Sequence, residues 1–419
     1  MSPTVAVIGS GVSGLTAAYA LRGTHTVTLF EADDRLGGHA HTHDVATSDG
    51  GRTPVDSGFI VHNERTYPTL LRLFRELDVP TQPTEMSMSV TCQGCGLSYA
   101  GARGIRGLFA QRRRLADPRY LRMLAEVPRF HRAAREVLES SGDESVTWGE
   151  FLDRGGYSQY FVEHFAVPLV ACVWSSGDDD ARGYPARHLF RFLANHGMLS
   201  LGGSPTWRTV TGGSRTYVER VAAALGDIRT GSPVVAVERD DDEVRVRTAD
   251  GVTHRFDQVV LATHADDALA VLVDATAEEK ADLAAIGYST NHTWLHRDGS
   301  LLPTQRAARG SWNYRKDACD VGSSRVLVSY WMNNLHGLDT TDDLVVTLNA
   351  TDRVDDAAVI ARMTYRHPVF TPEAVQAAAR LRGAGGERLA FAGAHLGWGF
   401  HEDGARSGLE AARRLGATW

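Results

Sequence analysis

From Thr4 to Ile8 a short, largely β-branched apolar run stops at Gly9, and from Ser13 to Leu21 small and apolar residues recur at helical spacing. The pattern predicts strand, turn, helix. Thr26 to Phe30 predicts a second strand, ending at Glu31. Farther on, Tyr217 to Leu225 has a helical period, whereas Ser232 to Glu238, Val244 to Thr248 and Gln258 to Thr263 read as strands, with Asp250-Gly251 as a hairpin signal. His292 to His296, Ser311 to Tyr314, Val326 to Met332 and Val345 to Asn349 are strand-like and rich in aromatic residues, which suits an antiparallel sheet with a broad apolar wall. Arg388 to Phe391 predicts a last parallel strand, and Gly404 to Leu415 a terminal amphipathic helix. No internal repeat or low-complexity linker separates these blocks, so the domains are expected to interleave.

Composition narrows the function classes. The 419 residues are 43% hydrophobic and 23% charged, an ordinary globular balance with room for two or three domains. A formal net charge of -7 argues against general nucleic-acid affinity. Four cysteines are too few and too scattered for a disulfide framework, and the chain opens with no basic, apolar leader, so a reducing cytoplasm is the expected location. No apolar run reaches the roughly 18 residues that a membrane span needs. One local patch departs from the acidic whole. Between Gly101 and Arg135 ten arginines face only Asp117 and Glu126, interleaved with Ile105, Leu108, Phe109, Leu115, Leu121 and Phe130. Such a stretch (101–135) can rest on an anionic membrane surface or receive an acyl carrier, or it can be a solvated face.

The chemistry begins at Gly9-Ser10-Gly11-Val12-Ser13-Gly14, which has the spacing G-x-G-x-x-G between a strand and a helix. In that setting Gly9 makes the turn, Gly11 and Ser13 sit where a pyrophosphate approaches the backbone, and Gly14 lets helix pack on strand. N–H groups at the helix start hold the anion. Glu31, about 20 residues on, is placed to accept hydrogen bonds from ribose hydroxyls, with Ala32 beside it. Cys92 and Cys95 form a C-x-x-C without a second pair or a suitable histidine pair near it in sequence, so the segment reads as a glycine-rich hairpin and no metal is expected. His39, His41 and His43 alternate, and an extended chain would place them on one side.

Arg35-Leu36-Gly37-Gly38 resembles the R-x-G-G segment of the flavin-containing amine oxidase and phytoene desaturase superfamily, which implies that Arg35, Gly37 and Gly38 pass the FAD pyrophosphate, with His39 next to them where those oxidases often carry arginine. Val55 to Asn63 resembles the superfamily's D-x-G segment under the flavin ring, implying backbone contact by Gly58 and Phe59. Val234 then resembles the residue whose backbone meets adenine, and Ala262-Thr263 the strand end beside the cofactor. Ala392-Gly393-Ala394, Gly397-Trp398 and Asp403-Gly404 are similar to the late motif that closes over the ring, with Ala394 where a glutamate is usual. Gly393, Trp398, Asp403 and Gly404 are the cofactor residues this implies. A helix start near the ring supplies about half a positive charge, which favours the reduced flavin. Asp403 could equally be that helix's N-cap.

The resemblance covers essentially the whole chain and implies a Rossmann-like FAD-binding domain of the two-dinucleotide-binding-domain flavoprotein type, discontinuous over 1–75, 210–275 and 380–419. An interleaved α+β substrate domain on a mainly antiparallel sheet would take 76–209 and 276–379. His401, Glu402 and His62 are the candidate proton acceptors, and Asn63, Tyr67, Trp312, Tyr330 and Phe400 the candidate substrate pocket. The chain is similar to a bacterial group associated with cyclopropane-type fatty-acid modification, which implies hydride transfer from a hydrophobic, acyl-lipid substrate to flavin N5. Oxidation of a secondary amine or polyamine is an alternative that lacks the amine oxidases' lysine: this chain has only Lys280 and Lys316, neither near Asn291 to Leu295 where it would fall. A non-redox flavin-dependent isomerase or flavin-bound scaffold is a third reading.

Overall fold

The computed structural model describes residues 2–141, 144–175, 177–200, 204–319, 326–350 and 352–419. Five parallel strands form one sheet in the order Asp227–Arg229, Thr26–Phe30, Thr4–Ile8, Gln258–Leu261, Leu389–Phe391. The first strand of the chain lies at the centre, and both of its faces are covered. Val5 and Val7 point into a core shared with Leu15, Ala18, Tyr217 and Leu409, while Ala6 and Ile8 point into another with Val237, Val246 and Phe256. A strand buried on both sides carries a continuous apolar run, as this one does.

Two helices from opposite ends of the sequence, Val12–Leu21 and His401–Arg414, lie against each other on one face of this sheet. Their approach is close because a Cβ at Gly408 would overlap the Ser13 carbonyl. The other face carries the antiparallel sheet Val234–Arg239, Val244–Thr248, Thr253–Phe256. Seven strands make a further sheet, in the order Val359–Val369, Gly287–His296, Val345–Leu348, Val328–Trp331, Trp312–Lys316, Met88–Cys92, Leu97–Gly101. Neighbours are antiparallel except at Trp312–Lys316 beside Met88–Cys92. A helical layer that includes Pro118–Glu139, Trp148–Gly155, Val167–Trp174 and Ala186–Asn195 packs on it around Trp148, Phe161 and Phe190, all fully buried.

Most strands sit within two residues of their expected bounds. The run from Val55 to Asn63 is not one strand. Arg52–Asp56 pairs with Thr42–Ala46, and His62–Asn63 pairs with Trp207–Val210, with a bend at Gly58, where a Cβ would overlap the His39 carbonyl. The terminal helix starts at His401, three residues before Gly404. The three alternate histidines lie in succession: the rings of His41 and His43 are 4.1 Å apart, and His39 and His41 both meet Tyr365, His39 ring to ring at 4.8 Å and His41 through Nδ1 at 3.1 Å from the hydroxyl.

The arginine-rich stretch is partly structural. Arg114 is buried in an ion pair with Asp117 at 2.6 Å, and Arg103 and Arg135 donate to the Arg309 and Leu199 carbonyls. Ile105, Leu115 and Leu121 nevertheless stand 78%, 58% and 40% exposed. Among the described residues no helix is long and apolar enough to cross a membrane.

Candidate active site

A cavity of about 860 Å³ runs from the carboxyl ends of the parallel strands into the space between the two large sheets. At its first end Gly9, Gly11, Val12 and Ser13 line the wall. Gly9 takes φ +98°, the left-handed region that glycine tolerates, and donates its N–H to the Phe30 carbonyl at 2.8 Å. A Cβ at Gly14 would overlap the Gly9 carbonyl, so the helix can start this close to the strand only without one. Gly11 is the N-cap of Val12–Leu21 and has no side chain to cap the first turn, whose N–H groups suit an anion. Glu31, Ala32 and Arg35 line the same end, opposite Ser232, Pro233 and Val234 from the antiparallel sheet.

The middle of the cavity is walled by Gly38, His39, Gly58, Thr263, His264, Tyr288, Tyr365, His367, Gly393 and His395. Burial first, and neighbouring histidines next, hold the imidazoles of His39, His367 and His395 below their ordinary pKa, His367 to about 4 and His395 to about 3. These rings are neutral hydrogen-bonding groups at neutral pH. Nε2 of His39 is buried and finds no partner within the protein. His401, the first residue of the terminal helix, also faces the cavity; it stacks on Phe59 at 3.7 Å, and its Nε2 lies 2.7 Å from the Tyr217 hydroxyl.

The far end is aromatic and uncharged. Tyr67, Met86, Cys172, Trp174, Ser175, Phe192, Met198, Trp207, Trp312, Tyr330 and Phe400 close it. Phe192 and Phe400 stack at 4.6 Å, and Trp312 meets Tyr330 edge to face at 5.6 Å.

Other expected site residues lie off the wall. Glu402 turns away: its two oxygens accept the Thr69 and Leu70 N–H groups, each at 3.0 Å, and so cap the helix Pro68–Glu76. Asp403 is not the N-cap but sits in the first turn, where it accepts the Phe400 N–H at 3.1 Å and pairs with Arg406 at 2.8 Å. His62 is buried behind Phe59 with neither ring nitrogen bonded within the protein, and burial lowers its pKa to about 4. Asn63 folds its own loop, accepting from the Arg65 and Thr66 N–H groups. Trp398 stands behind the aromatic wall, its carbonyl accepting from Trp174 Nε1 at 2.9 Å. Gly37 packs beside Ala40 and Val218, and Gly404 against Val12 on the facing helix.

The family model for flavin containing amine oxidoreductase matches residues 12–416. The chain belongs to that family. Members of that family contain flavin, and the cavity fits FAD: a helix N-terminus and Glu31 at one end, and an unpartnered buried imidazole on the wall between the two ends. The chain is 26% identical over 269 residues to lysine-specific histone demethylase 1B of Mus musculus, a match covering 62% of this chain. It spans 29% of that relative's length and 48% of a second relative's, from Mycobacterium tuberculosis. Two solved structures share the fold over 99% of both chains: cyclohexylamine oxidase from Brevibacterium oxydans, with TM-score 0.70 and 18% identity, and a CLA-producing fatty acid isomerase from P. acnes, with TM-score 0.68 and 17% identity.

Neither lysine of this family member reaches the cavity. Lys280 lies on the helix Ala277–Ala284, and Lys316 is buried with its Nζ donating to the Glu163 carbonyl at 3.3 Å. Asn291 instead bonds to His367 Nδ1 at 3.0 Å and accepts from Asn349, fixing the cavity histidine. His264, Tyr288, Tyr365, His367 and His395 escaped the sequence reading because they come from four separate segments. Alternation along Val359–Val369 was the one local signal, and its polar residues masked it.

Proposed function

We propose that this flavoenzyme removes hydride from a hydrophobic, acyl-type substrate. When bound, FAD supplies the hydride-accepting centre. The observation that carries the reading is the far end of the cavity, where no lining side chain is ionised and aromatic and sulfur-bearing groups supply most of the surface. An ammonium substrate would lose its hydration there without a counter-ion, at a cost of several kcal/mol. An alkyl chain would gain about 0.8 kcal/mol for each methylene buried.

The chain's residues bind, orient and keep out water. Phe192, Phe400, Trp312 and Tyr330 form the slot, and His401 on Phe59 sets its inner boundary. General-base catalysis works best with a pKa near the working pH. His401, held at about 3 by burial and then by His62, is a weak base, and Glu402 is committed to its helix cap. Rate enhancement on this reading comes from positioning. The likeness to a fatty acid isomerase agrees with a slot for an acyl chain, while the amine oxidases of similar fold keep the amine reading as the competitor.

Anaerobic mixing of the FAD-loaded enzyme with long-chain acyl lipids and, separately, with secondary amines and polyamines tests this. Bleaching of the flavin band by the lipids alone is the expected result. Bleaching by the amines alone overturns it.

A further inference from the structure

Away from the cavity, the hairpin joining Met88–Cys92 to Leu97–Gly101 brings Cys92 and Cys95 against two residues far from them in sequence. His164 arrives from the turn Val162–Ala166, and Cys319 from the loop after Trp312–Lys316. Three sulfurs and one imidazole nitrogen lie within 4.8 Å of one another. We propose that Cys92, Cys95, His164 and Cys319 are the four ligands of a structural zinc ion.

The geometry matches. A tetrahedral ion with zinc–sulfur bonds of about 2.3 Å and a zinc–nitrogen bond of about 2.05 Å sets sulfur–sulfur edges near 3.8 Å and sulfur–nitrogen edges near 3.6 Å. Cys92 and Cys319 stand 3.7 Å apart through their sulfurs, and Cys95 Sγ is 3.5 Å from His164 Nε2. Nδ1 of His164 lies 3.0 Å from the Tyr160 carbonyl, an acceptor only, so Nδ1 carries the proton and Nε2 turns its lone pair toward the cluster. Tyr160 also stacks on the ring at 4.1 Å, fixing its plane. The turn that carries His164 has π-helical pairing, a local widening often found at functional sites.

Electrostatics agree. Three thiols lose their protons to solvent as the ion binds, leaving a Cys3His site with one net negative charge. Arg114 donates to the Cys95 carbonyl at 2.8 Å and Arg113 to the Gly96 carbonyl at 2.8 Å, so two guanidinium groups of the arginine-rich stretch are anchored beside it. Cys172, the remaining cysteine, lines the cavity and takes no part. A tetrahedral set of sulfur and imidazole with all four positions filled is the donor set of structural zinc.

The site would tie three segments of two layers together: the edge hairpin of the seven-stranded sheet, the loop after its neighbouring strand, and the helical layer. Val167–Trp174, which follows directly from the His164 turn, places Cys172, Val173 and Trp174 on the aromatic wall of the cavity. Zinc would therefore hold the slot in shape from behind without touching substrate or flavin.

Elemental analysis of the FAD-loaded enzyme from zinc-supplemented cells is expected to give about one zinc per chain, retained in Cys172→Ser and lost in Cys95→Ser. Growth on cobalt should give the wild-type protein thiolate-to-cobalt charge-transfer absorption and the strong red bands of tetrahedral Co(II). That spectrum decides the matter even if Cys95→Ser fails to fold. Metal-free wild-type protein that neither binds added zinc nor yields the cobalt spectrum overturns the proposal, and so does a Cys92–Cys319 disulfide in fully active, metal-free enzyme.

Discussion

The two ends of the cavity are built by different means. At the nucleotide end the binding surface is mostly backbone: a positive-φ glycine, a helix start without a capping side chain, and a carboxylate one strand away. At the aromatic end it is side chains from at least six separated segments, among them Cys172 to Ser175, Phe192, Trp207, Trp312, Tyr330 and Phe400. A site made of backbone demands particular residues at fixed local spacing, whereas one made of side chains demands only that apolar volume arrive from somewhere. The first kind tolerates few substitutions and the second can be reshaped piecemeal.

Acid should break both ends together. His395 near the middle wall, His62 behind Phe59 and His196 between Phe192 and Trp207 are buried and held at about 3, 4 and 4, mainly by desolvation. Their folded pKa values lie below the unfolded value near 6.5, so the stability they contribute is complete above pH 6.5 and is lost as pH falls toward 4. At pH 5 each ring accounts for about 2 kcal/mol, and flavin release and tryptophan exposure should follow one steep transition between pH 6.5 and 4.5. Two transitions well separated in pH would show that the ends unfold independently.

Gly14→Ala sharpens the contrast. Its Cβ overlaps the Gly9 carbonyl, and relief costs about 3 kcal/mol with loss of bound FAD on gel filtration. A fully loaded, equally stable variant would refute the backbone account of this end. Phe400→Ala should do the converse, keeping FAD while lowering kcat/KM for an acyl donor by roughly 10- to 100-fold, equivalent to about 1.4 to 2.8 kcal/mol of lost contact. Loss of flavin in that variant would mean the two ends are not separable. The smallest effect belongs to His62→Leu. Replacing a buried imidazole whose nitrogens have no protein partner should change stability by about 1 kcal/mol or less and leave kcat within about twofold. A collapse of kcat with the fold intact would restore His62 as a proton acceptor.

Legibility in the sequence followed the same divide. The strand Thr4–Ile8, its glycine turn, Glu31 and the returning strand at Gln258 could be read because each rests on short-range rules of period and turn chemistry. Glu402 could not. Its sequence neighbours suggested chemistry, yet the helix Pro68–Glu76 carries apolar residues in its first turns and finds its cap more than 300 residues away. Cys92 and Cys95 likewise read as a plain hairpin, since nothing near them in sequence announces His164 or Cys319.

Taken alone, the amino-acid order determined a strand, a glycine turn and a helix at the front of the chain and an amphipathic helix at its end, because period-two and period-3.6 patterns and glycine sterics act over a few residues. Only the folded chain decided which histidines are buried neutral, which carboxylates are spent on helix caps, and which three side chains converge on Cys92. Burial and the partner of each polar group depend on contacts between segments hundreds of residues apart, and pKa and ligation follow from those contacts.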